Sequence, residues 1–179
     1  MGNNHRVLII GPQGVGKSTQ GKLLQEFLQV PYISSGDVMR QKAKEVSSMG
    51  NQIKNLLESG QLVDDELTAS FIKTRVDQKD CQNGFVIDGY PRTINQISLF
   101  DPDFTEVIYL EANDEVVRQR LLSRNRVDDT SELITQRLEI YHQLTEPIVD
   151  YYKDKQIIHI IDGTKTIGEI QKQIRKIFE

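Results

Sequence analysis

Short apolar runs alternate along the chain with longer amphipathic stretches. Five of these runs are short enough to be buried strands, and they occupy residues 7–10, 32–33, 85–87, 107–110 and 157–161. Apolar residues at helical spacing predict helices over 17–29, 50–76 with a break at Gly60, 113–124, 131–154 and 166–178. A further helical stretch is predicted after residues 34–37. This alternation predicts an α/β fold, in which a five-stranded parallel sheet is flanked by helices on both faces.

The composition is that of a single globular domain covering residues 1–179. Hydrophobic residues make up 37% of the chain and charged residues 27%, which is ordinary for a globular protein. The formal net charge of −4 gives no support for a nucleic-acid partner, and no apolar run is long enough to span a membrane. Cys81 is the single cysteine, which excludes an internal disulfide and favours the reducing cytoplasm.

A glycine-rich stretch follows the first predicted strand and leads into the first predicted helix. Its sequence, Gly-Pro-Gln-Gly-Val-Gly-Lys-Ser over residues 11–18, has the spacing of a phosphate-binding P-loop. Glycines let successive backbone N–H groups point at one anion, and the N-terminus of the helix adds a partial positive charge. Lys17 can reach the β- and γ-phosphates, and the Ser18 hydroxyl can ligate Mg²⁺. The chain is therefore predicted to have the P-loop NTPase fold and to bind a nucleoside triphosphate.

Two further groups of residues fit a phosphate site. Asp88 lies directly after the strand at 85–87, where an acidic residue of a P-loop fold can hold Mg²⁺ or its water. Arg92 then sits beside the expected phosphates, although a turn that carries a solvated arginine is the alternative. Arginines also cluster between residues 118 and 137, and in a chain of negative net charge this concentration indicates an anionic ligand. The P-loop alone leaves ATPases, GTPases and small-molecule kinases open.

The order of these motifs resembles that of adenylate kinases. The matching stretches are residues 11–18, 35–40, 60–64, 88–96 and 126–129, and the resemblance extends from residue 7 to the C-terminus. It implies reversible, Mg²⁺-dependent transfer of a phosphoryl group from ATP to AMP, giving two ADP. The resemblance is to the short form of the family and implies a helical lobe at 34–77 for the nucleoside monophosphate. Even short-form members usually have several more residues between the two lid arginines than this chain has, so we expect a lid reduced to 124–130. It also implies a monomer.

The resemblance assigns roles to individual residues. On the ATP side it implies binding by Gly14, Val15, Gly16, Lys17, Ser18 and Thr19, with Arg120 stacking on the adenine. On the AMP side it implies that the phosphate is held by Arg40 and Arg92 and the base by Gln96 and the backbone near Leu62 and Val63, with Ser35, Gly36 and Gly89 in the same stretch. The implied catalytic set around the transferring phosphoryl group is Lys17, Arg92, Arg124, Arg126 and Arg137, and the implied Mg²⁺ residues are Ser18 and Asp88.

The choice of monophosphate and the lid leave alternatives open. Thr93 and Gln96 fit the adenylate kinase pattern, whereas relatives that act on UMP or CMP usually have Asn at the position of Thr93. Ser35 replaces the more usual Thr but keeps a hydroxyl. A single residue separates the two lid arginines, so we expect a tight turn that excludes water poorly and permits ATP hydrolysis. The alternatives are a kinase of UMP or CMP, or a nucleotide-binding regulatory protein with weak kinase or ATPase activity.

Overall fold

The computed structural model describes residues 4–123 and 130–179 and is built on a five-stranded sheet. The strands are β1 (His5–Ile10), β2 (Tyr32–Ser34), β3 (Gly84–Asp88), β4 (Glu106–Glu111) and β5 (Ile158–Asp162). Their order across the sheet is β2-β3-β1-β4-β5, and every neighbouring pair is parallel. The predicted parallel sheet is therefore confirmed, and each predicted apolar run lies within or at the edge of a strand.

Helices connect the strands and cover the sheet. They are α1 (Lys17–Leu28), α2 (Ser35–Lys42), α3 (Ser48–Glu58), α4 (Asp65–Val76), α5 (Ile94–Leu99), α6 (Asp114–Ser123), α7 (Ser131–Ile140), α8 (Pro147–Asp154) and α9 (Ile167–Arg175). The chain also forms a 3₁₀ turn at Lys79–Cys81 and a π-helical segment at Tyr141–Thr145. Among the residues that the structure describes, no helix is both long enough and apolar enough to cross a membrane. The predicted α/β fold is confirmed.

The central strand β1 is buried on both faces. Val7 and Ile9 belong to a hydrophobic cluster that includes residues of α1 and α9. Leu8 and Ile10 belong to a second cluster on the opposite face, which includes residues of α4, α5 and α8. Because successive side chains of a strand point to opposite faces, a strand covered on both sides needs a continuous apolar run. This packing fixes the carboxyl end of β1, from which the glycine-rich loop departs.

Two predicted helices are interrupted, and one helix was not predicted. Residues 50–76 divide into α3 and α4, separated by 59–64, as the predicted break at Gly60 indicated. The 131–154 stretch changes to π-helical geometry before α8, where the Glu146 N–H donates to the Tyr141 carbonyl at 2.9 Å. Helix α5 is only six residues long, too short to show a helical period in the sequence.

Helices α6 and α7 pack against each other through a hydrophobic core of their own. Its members are Val117, Leu121, Ile134 and Leu138. The predicted lid at 124–130 joins these two helices, and all of it except Thr130 lies outside the described residues. The Thr130 hydroxyl accepts a hydrogen bond from the Leu133 N–H and caps α7.

Candidate active site

A cavity of about 920 Å³ lies at the carboxyl ends of β1 and β3. Ligands of open parallel α/β sheets bind at this edge, and the volume is at the upper end of the range for small-molecule sites. The glycine-rich loop forms one part of the wall, and α2, the loop before α4 and the segment after β3 form another. The predicted site residues that line the cavity are Gly14, Gly16, Lys17, Ser18, Thr19, Gly36, Arg40, Leu62, Asp88, Gly89, Arg92, Arg120 and Arg137.

The glycine-rich loop turns sharply from β1 into α1. Gly16 has a φ of +109°, a conformation that residues with a Cβ rarely adopt, and α1 begins at the next residue. The Lys17 ammonium donates to the carbonyls of Gly11 at 2.7 Å and Pro12 at 2.8 Å, so the side chain folds back across the loop. Val15 is 1% exposed and lies outside the cavity wall. The loop thus brings an ammonium group and a helix N-terminus to one place, which suits phosphate.

Asp88 ends β3 and faces the start of α1. Its Oδ2 accepts hydrogen bonds from the Ser18 hydroxyl at 3.0 Å and from the Tyr32 hydroxyl at 2.7 Å. Burial and, to a smaller extent, the negative charge of Asp88 raise the pKa of Tyr32. The Tyr32 hydroxyl therefore keeps its proton and donates it to the hydrogen bond. A hydroxyl and a carboxylate oxygen side by side are ligands that suit Mg²⁺. Within 4–123 and 130–179 no group of three or more His, Cys, Asp or Glu side chains is placed to hold a metal ion.

The segment after β3 makes close contact with the start of α2. Gly89 has a φ of +82°, and a Cβ at this position would lie 2.5 Å from the Ser35 hydroxyl oxygen. That hydroxyl donates to the Gly89 carbonyl at 2.6 Å, and the Arg92 Nε donates to the same carbonyl at 2.9 Å. On α2, the Arg40 guanidinium donates to Asp37. The backbone and these contacts therefore hold two arginines at the cavity.

The electrostatics of this part of the cavity favour an anion. Burial lowers the pKa of Arg92, although the Asp88 carboxylate acts against this effect. The positive charges of Arg137 and Arg40 lower the pKa of Arg92 further. A guanidinium with these neighbours stays charged, since its intrinsic pKa is so high, and an anion between the three would be stabilised by all of them.

Gln96 and Val63 lie behind the cavity wall. Gln96 is 1% exposed, and its side-chain amide is engaged on both atoms. Oε1 accepts from the Arg92 N–H at 2.7 Å, and Nε2 donates to Asp65 Oδ1 at 2.7 Å. Val63 is 6% exposed and packs with Met39 and Ile53 in the small core between α2 and α3. Neither side chain lines the cavity, and nor does Ser35, whereas the other predicted AMP residues do: Gly36, Arg40, Leu62, Gly89 and Arg92.

Arg120 connects the glycine-rich loop to the loop after β5. Its Nη1 donates to the Val15 carbonyl at 3.3 Å and to the Gly163 carbonyl at 2.7 Å, and its Nη2 donates to the Thr164 carbonyl at 3.2 Å. The guanidinium therefore lies against the rim of the predicted ATP side. Arg137 also lines the cavity, whereas the predicted Arg124 and Arg126 lie outside the described residues.

Sequence reasoning missed three residues that contact the predicted site. Tyr32 donates to Asp88, the Thr145 hydroxyl donates to the Arg92 carbonyl at 3.0 Å, and Asp65 holds the amide of Gln96. Asp65 directly follows one quoted motif stretch and Tyr32 lies shortly before another, which is a weak signal. Thr145 is in the π-helical segment, 53 positions from its partner, and no local pattern indicates it.

The fold and the cavity define a class of protein. A P-loop follows the central strand of a parallel sheet, and arginines from four other segments line the same cavity. Lysine and arginine around a space of this size suit the transfer of a phosphoryl group between two anionic substrates. The molecule is a P-loop phosphotransferase.

Known proteins similar to this chain agree with that class. The family model described as adenylate kinase matches residues 9–157. Adenylate kinase 1 of a Nostoc species is 38% identical over 177 residues, covering 95% of this chain and 96% of that protein. The adenylate kinase of Bifidobacterium longum is 38% identical over 180 residues, covering 94% and 97%. The adenylate kinase of Clostridium perfringens is 31% identical over 210 aligned positions, covering 96% and 97%.

The chain belongs to the adenylate kinase family. The predicted family and the predicted enzyme class, a nucleoside monophosphate kinase, are thereby confirmed. The three relatives are all named as adenylate kinases, so the UMP and CMP alternatives and the regulatory alternative are not favoured. The alignment with the Clostridium protein is longer than this chain of 179 residues, so that relative has residues without a counterpart here.

Proposed function

We propose that this protein catalyses reversible transfer of the γ-phosphoryl group of ATP to AMP, giving two ADP. The observation that carries the proposal is a single cavity lined both by the P-loop, with Lys17, and by a second cationic group, with Arg40 and Arg92. A nucleotide hydrolase needs only the first of these. A second cationic subsite fits the phosphate of an acceptor nucleotide.

The proposed mechanism uses positioning and charge and forms no covalent intermediate. The P-loop N–H groups and Lys17 hold the β- and γ-phosphates, and Arg40 and Arg92 hold the phosphate of AMP in line with them. Negative charge that spreads over the transferring group is stabilised by Arg92 and Arg137 from the cavity wall. From the sequence, Arg124 and Arg126 complete this set. Two polyanions would otherwise repel each other at this distance.

We propose Mg²⁺ as the cofactor, held by Ser18 and Asp88 and partly through water. The support is the pair of oxygen ligands beside the P-loop, 3.0 Å apart. When bound, the ion supplies neutralising charge on the phosphate oxygens. Tyr32 donates to the same Asp88 oxygen and so keeps that carboxylate turned toward Ser18.

Several finer assignments belong to the same proposal. The helices α2, α3 and α4 lie within the proposed monophosphate-binding lobe at 34–77, and residues 124–130 are the proposed lid. Ser35, Gly36, Leu62, Val63 and Gln96 are proposed for AMP, and Arg120 for the adenine of ATP. We also propose a monomer in the cytoplasm: the family resemblance supports the monomer, and the free thiol of Cys81 suits a reducing compartment.

The test is ADP formation from Mg·ATP with AMP, CMP, UMP, GMP or no acceptor. We expect transfer to AMP, and we expect Lys17→Ala to abolish it because the ammonium group at the P-loop is lost. Light scattering of the same preparation reports its oligomeric state. A preference for another monophosphate would overturn the choice of AMP, and binding of ATP and AMP without transfer would overturn the proposed catalysis.

A further inference from the structure

Asp65 is a carboxylate on which hydrogen bonds from helix α5 and the turn before it converge. Its Oδ2 accepts from the Thr93 hydroxyl and from the Asn95 amide, each at 2.9 Å. Its Oδ1 accepts from Gln96 Nε2 at 2.7 Å. Asp65 is the first residue of α4, so these contacts join the start of one helix to the start of another.

Gln96 also contacts Arg92, one of the arginines that line the cavity. Gln96 Oε1 accepts from the backbone N–H of Arg92 at 2.7 Å. The Thr145 hydroxyl donates to the carbonyl of the same arginine at 3.0 Å. Both polar groups of the Arg92 backbone are therefore hydrogen-bonded to side chains. One of these side chains, Gln96, is itself hydrogen-bonded to Asp65.

The polarity of these contacts fixes the Gln96 amide in one orientation. The backbone N–H of Arg92 can only donate, and the ionised Asp65 carboxylate can only accept. A reversed amide would place a donor against the N–H and an acceptor against the carboxylate. Because Gln96 is 1% exposed, water could not compensate for either mismatch.

We propose that Asp65 is a positioning residue for the monophosphate, acting through Gln96 on Arg92. The inference rests on the proposed function, in which Arg92 binds the phosphate of AMP. It gives Gln96 a structural task in addition to the base contact that the family resemblance implies. It also links the first turn of α4, in the proposed monophosphate-binding lobe, to a side chain that binds the substrate phosphate.

We call the hydrogen-bonded chain from Asp65 through Gln96 to Arg92 the relay. Exchanging the carboxylate and the amide between positions 65 and 96 tests it. In Gln96→Glu a second carboxylate faces Asp65, while the acceptor for the Arg92 N–H is kept. In Asp65→Asn the new amide must turn its N–H₂ either toward Gln96 or toward the donors of α5. The double variant D65N/Q96E restores every contact with the hydrogen bond between positions 65 and 96 reversed. The amide introduced at position 65 then donates to the introduced glutamate, and its oxygen still accepts from Thr93 and Asn95.

The measurement is the dissociation constant of AMP by calorimetry in the absence of ATP, with the dissociation constant of ATP as the internal reference. We expect Q96E to weaken AMP binding by about tenfold or more and D65N by a smaller factor, because buried partners of like polarity are costly. We expect the double variant to bind AMP at least about threefold more tightly than Q96E, because the hydrogen bonds are restored while the proposed base contact of Gln96 is not, and we expect ATP binding to stay unchanged throughout. The matched control is Asp80→Asn, which removes a carboxylate beyond the other end of α4, where it pairs with Arg75 at 2.8 Å.

Two results would overturn the inference. One is a double variant that binds AMP as weakly as Q96E alone, which would leave Gln96 as a base contact with no relay. The other is equal weakening of AMP and ATP together with a lowered melting temperature, which a general loss of structure would produce. Wild-type transfer from ATP to AMP is measured first, so failure of the proposed function is distinguished from failure of the relay.

Discussion

Replacing Gly21 by Ala in α1 should destabilise the protein, although alanine normally favours a helix. Gly21 is buried, and a Cβ at this position would overlap Cε2 of Tyr32 and lie 2.7 Å from its Cδ2. The latter distance is about 1 Å shorter than ordinary contacts between carbon atoms. The glycine therefore leaves the space that the tyrosine ring occupies.

The ring has little freedom to move away. The Tyr32 hydroxyl donates to Asp88 at 2.7 Å, and its backbone N–H donates to the Gln25 side chain at 3.0 Å. Overpacking of this kind costs about 1–3 kcal/mol, whereas the gain in helix propensity from Gly to Ala is about 1 kcal/mol. The expected net effect on the free energy of unfolding is a loss of up to about 2 kcal/mol. Displacement of the ring would also move its hydroxyl from the carboxylate proposed to serve Mg²⁺.

Urea unfolding followed by circular dichroism measures the change, with two matched comparisons. Gly168→Ala in α9 is the control, because nothing lies within 4 Å of a Cβ at that position, and it should be neutral or stabilising. In a Tyr32→Ala background the ring is absent, so Gly21→Ala should change sign and stabilise the protein relative to Tyr32→Ala alone. If Gly21→Ala stabilises both backgrounds equally, the ring is not the cause and the reasoning fails.

Three further predictions concern the site and its surroundings. Arg92→Lys keeps a positive charge but loses the forked guanidinium. In an assay of coupled ADP formation, we expect kcat/KM for AMP to fall by about tenfold to a hundredfold, with little change in KM for ATP. An unchanged kcat/KM for AMP would exclude a contact between Arg92 and the phosphate. His142 lies between two carboxylates, and hydrogen bonding to Glu146 and then to Asp114 raises its pKa, although partial burial acts against this. A raised folded-state pKa stabilises the protein fully below the unfolded value of 6.5, and the stabilisation is lost as pH rises through the folded value. The difference in unfolding free energy between wild type and His142→Gln should therefore shrink as pH increases above 6.5, and a constant difference would contradict the pairing. Lengthening the lid segment at 124–130 should lower ATP hydrolysis without AMP relative to transfer, and an unchanged ratio in the two assays would count against poor water exclusion by the short lid.

The parts of the fold that depend on local pattern were predictable, and the parts that depend on distant contacts were not. The strands could be predicted because β1, β3 and β4 carry continuous apolar runs, as strands buried on both faces must. The P-loop could be predicted because its spacing and its flanking elements are contiguous in sequence. Helix α5 was missed because six residues carry no full pattern, and the π-helical segment was missed because nothing in the apolar spacing distinguishes it from α-helix.

The same distinction applies to the site. The positions of Lys17, Ser18 and Asp88 at the cavity could be predicted from the P-loop spacing and the order of strand, turn and helix, while their roles stay predictions. The hydrogen bonds of Thr145 and Asp65 could not, because they join positions 53 and 31 residues from their partners and depend on how helices pack. The roles of the two lid arginines stay a prediction, since residues 124–129 are not among those described.

The order of strands in the sheet also constrains how the chain assembles during synthesis. Of the five strands of the sheet, β1 and β2 leave the ribosome before the others, yet β3 lies between them, and each pairs with it. Neither has a neighbour until residues 84–88 have emerged, and the P-loop between them has no completed sheet to support it before then. Closing these distant pairs costs loop entropy that is repaid only when the central strands meet. The nucleotide site begins at residue 11, but it can be completed only after Arg137 and Thr145, which line the same cavity, have been synthesised.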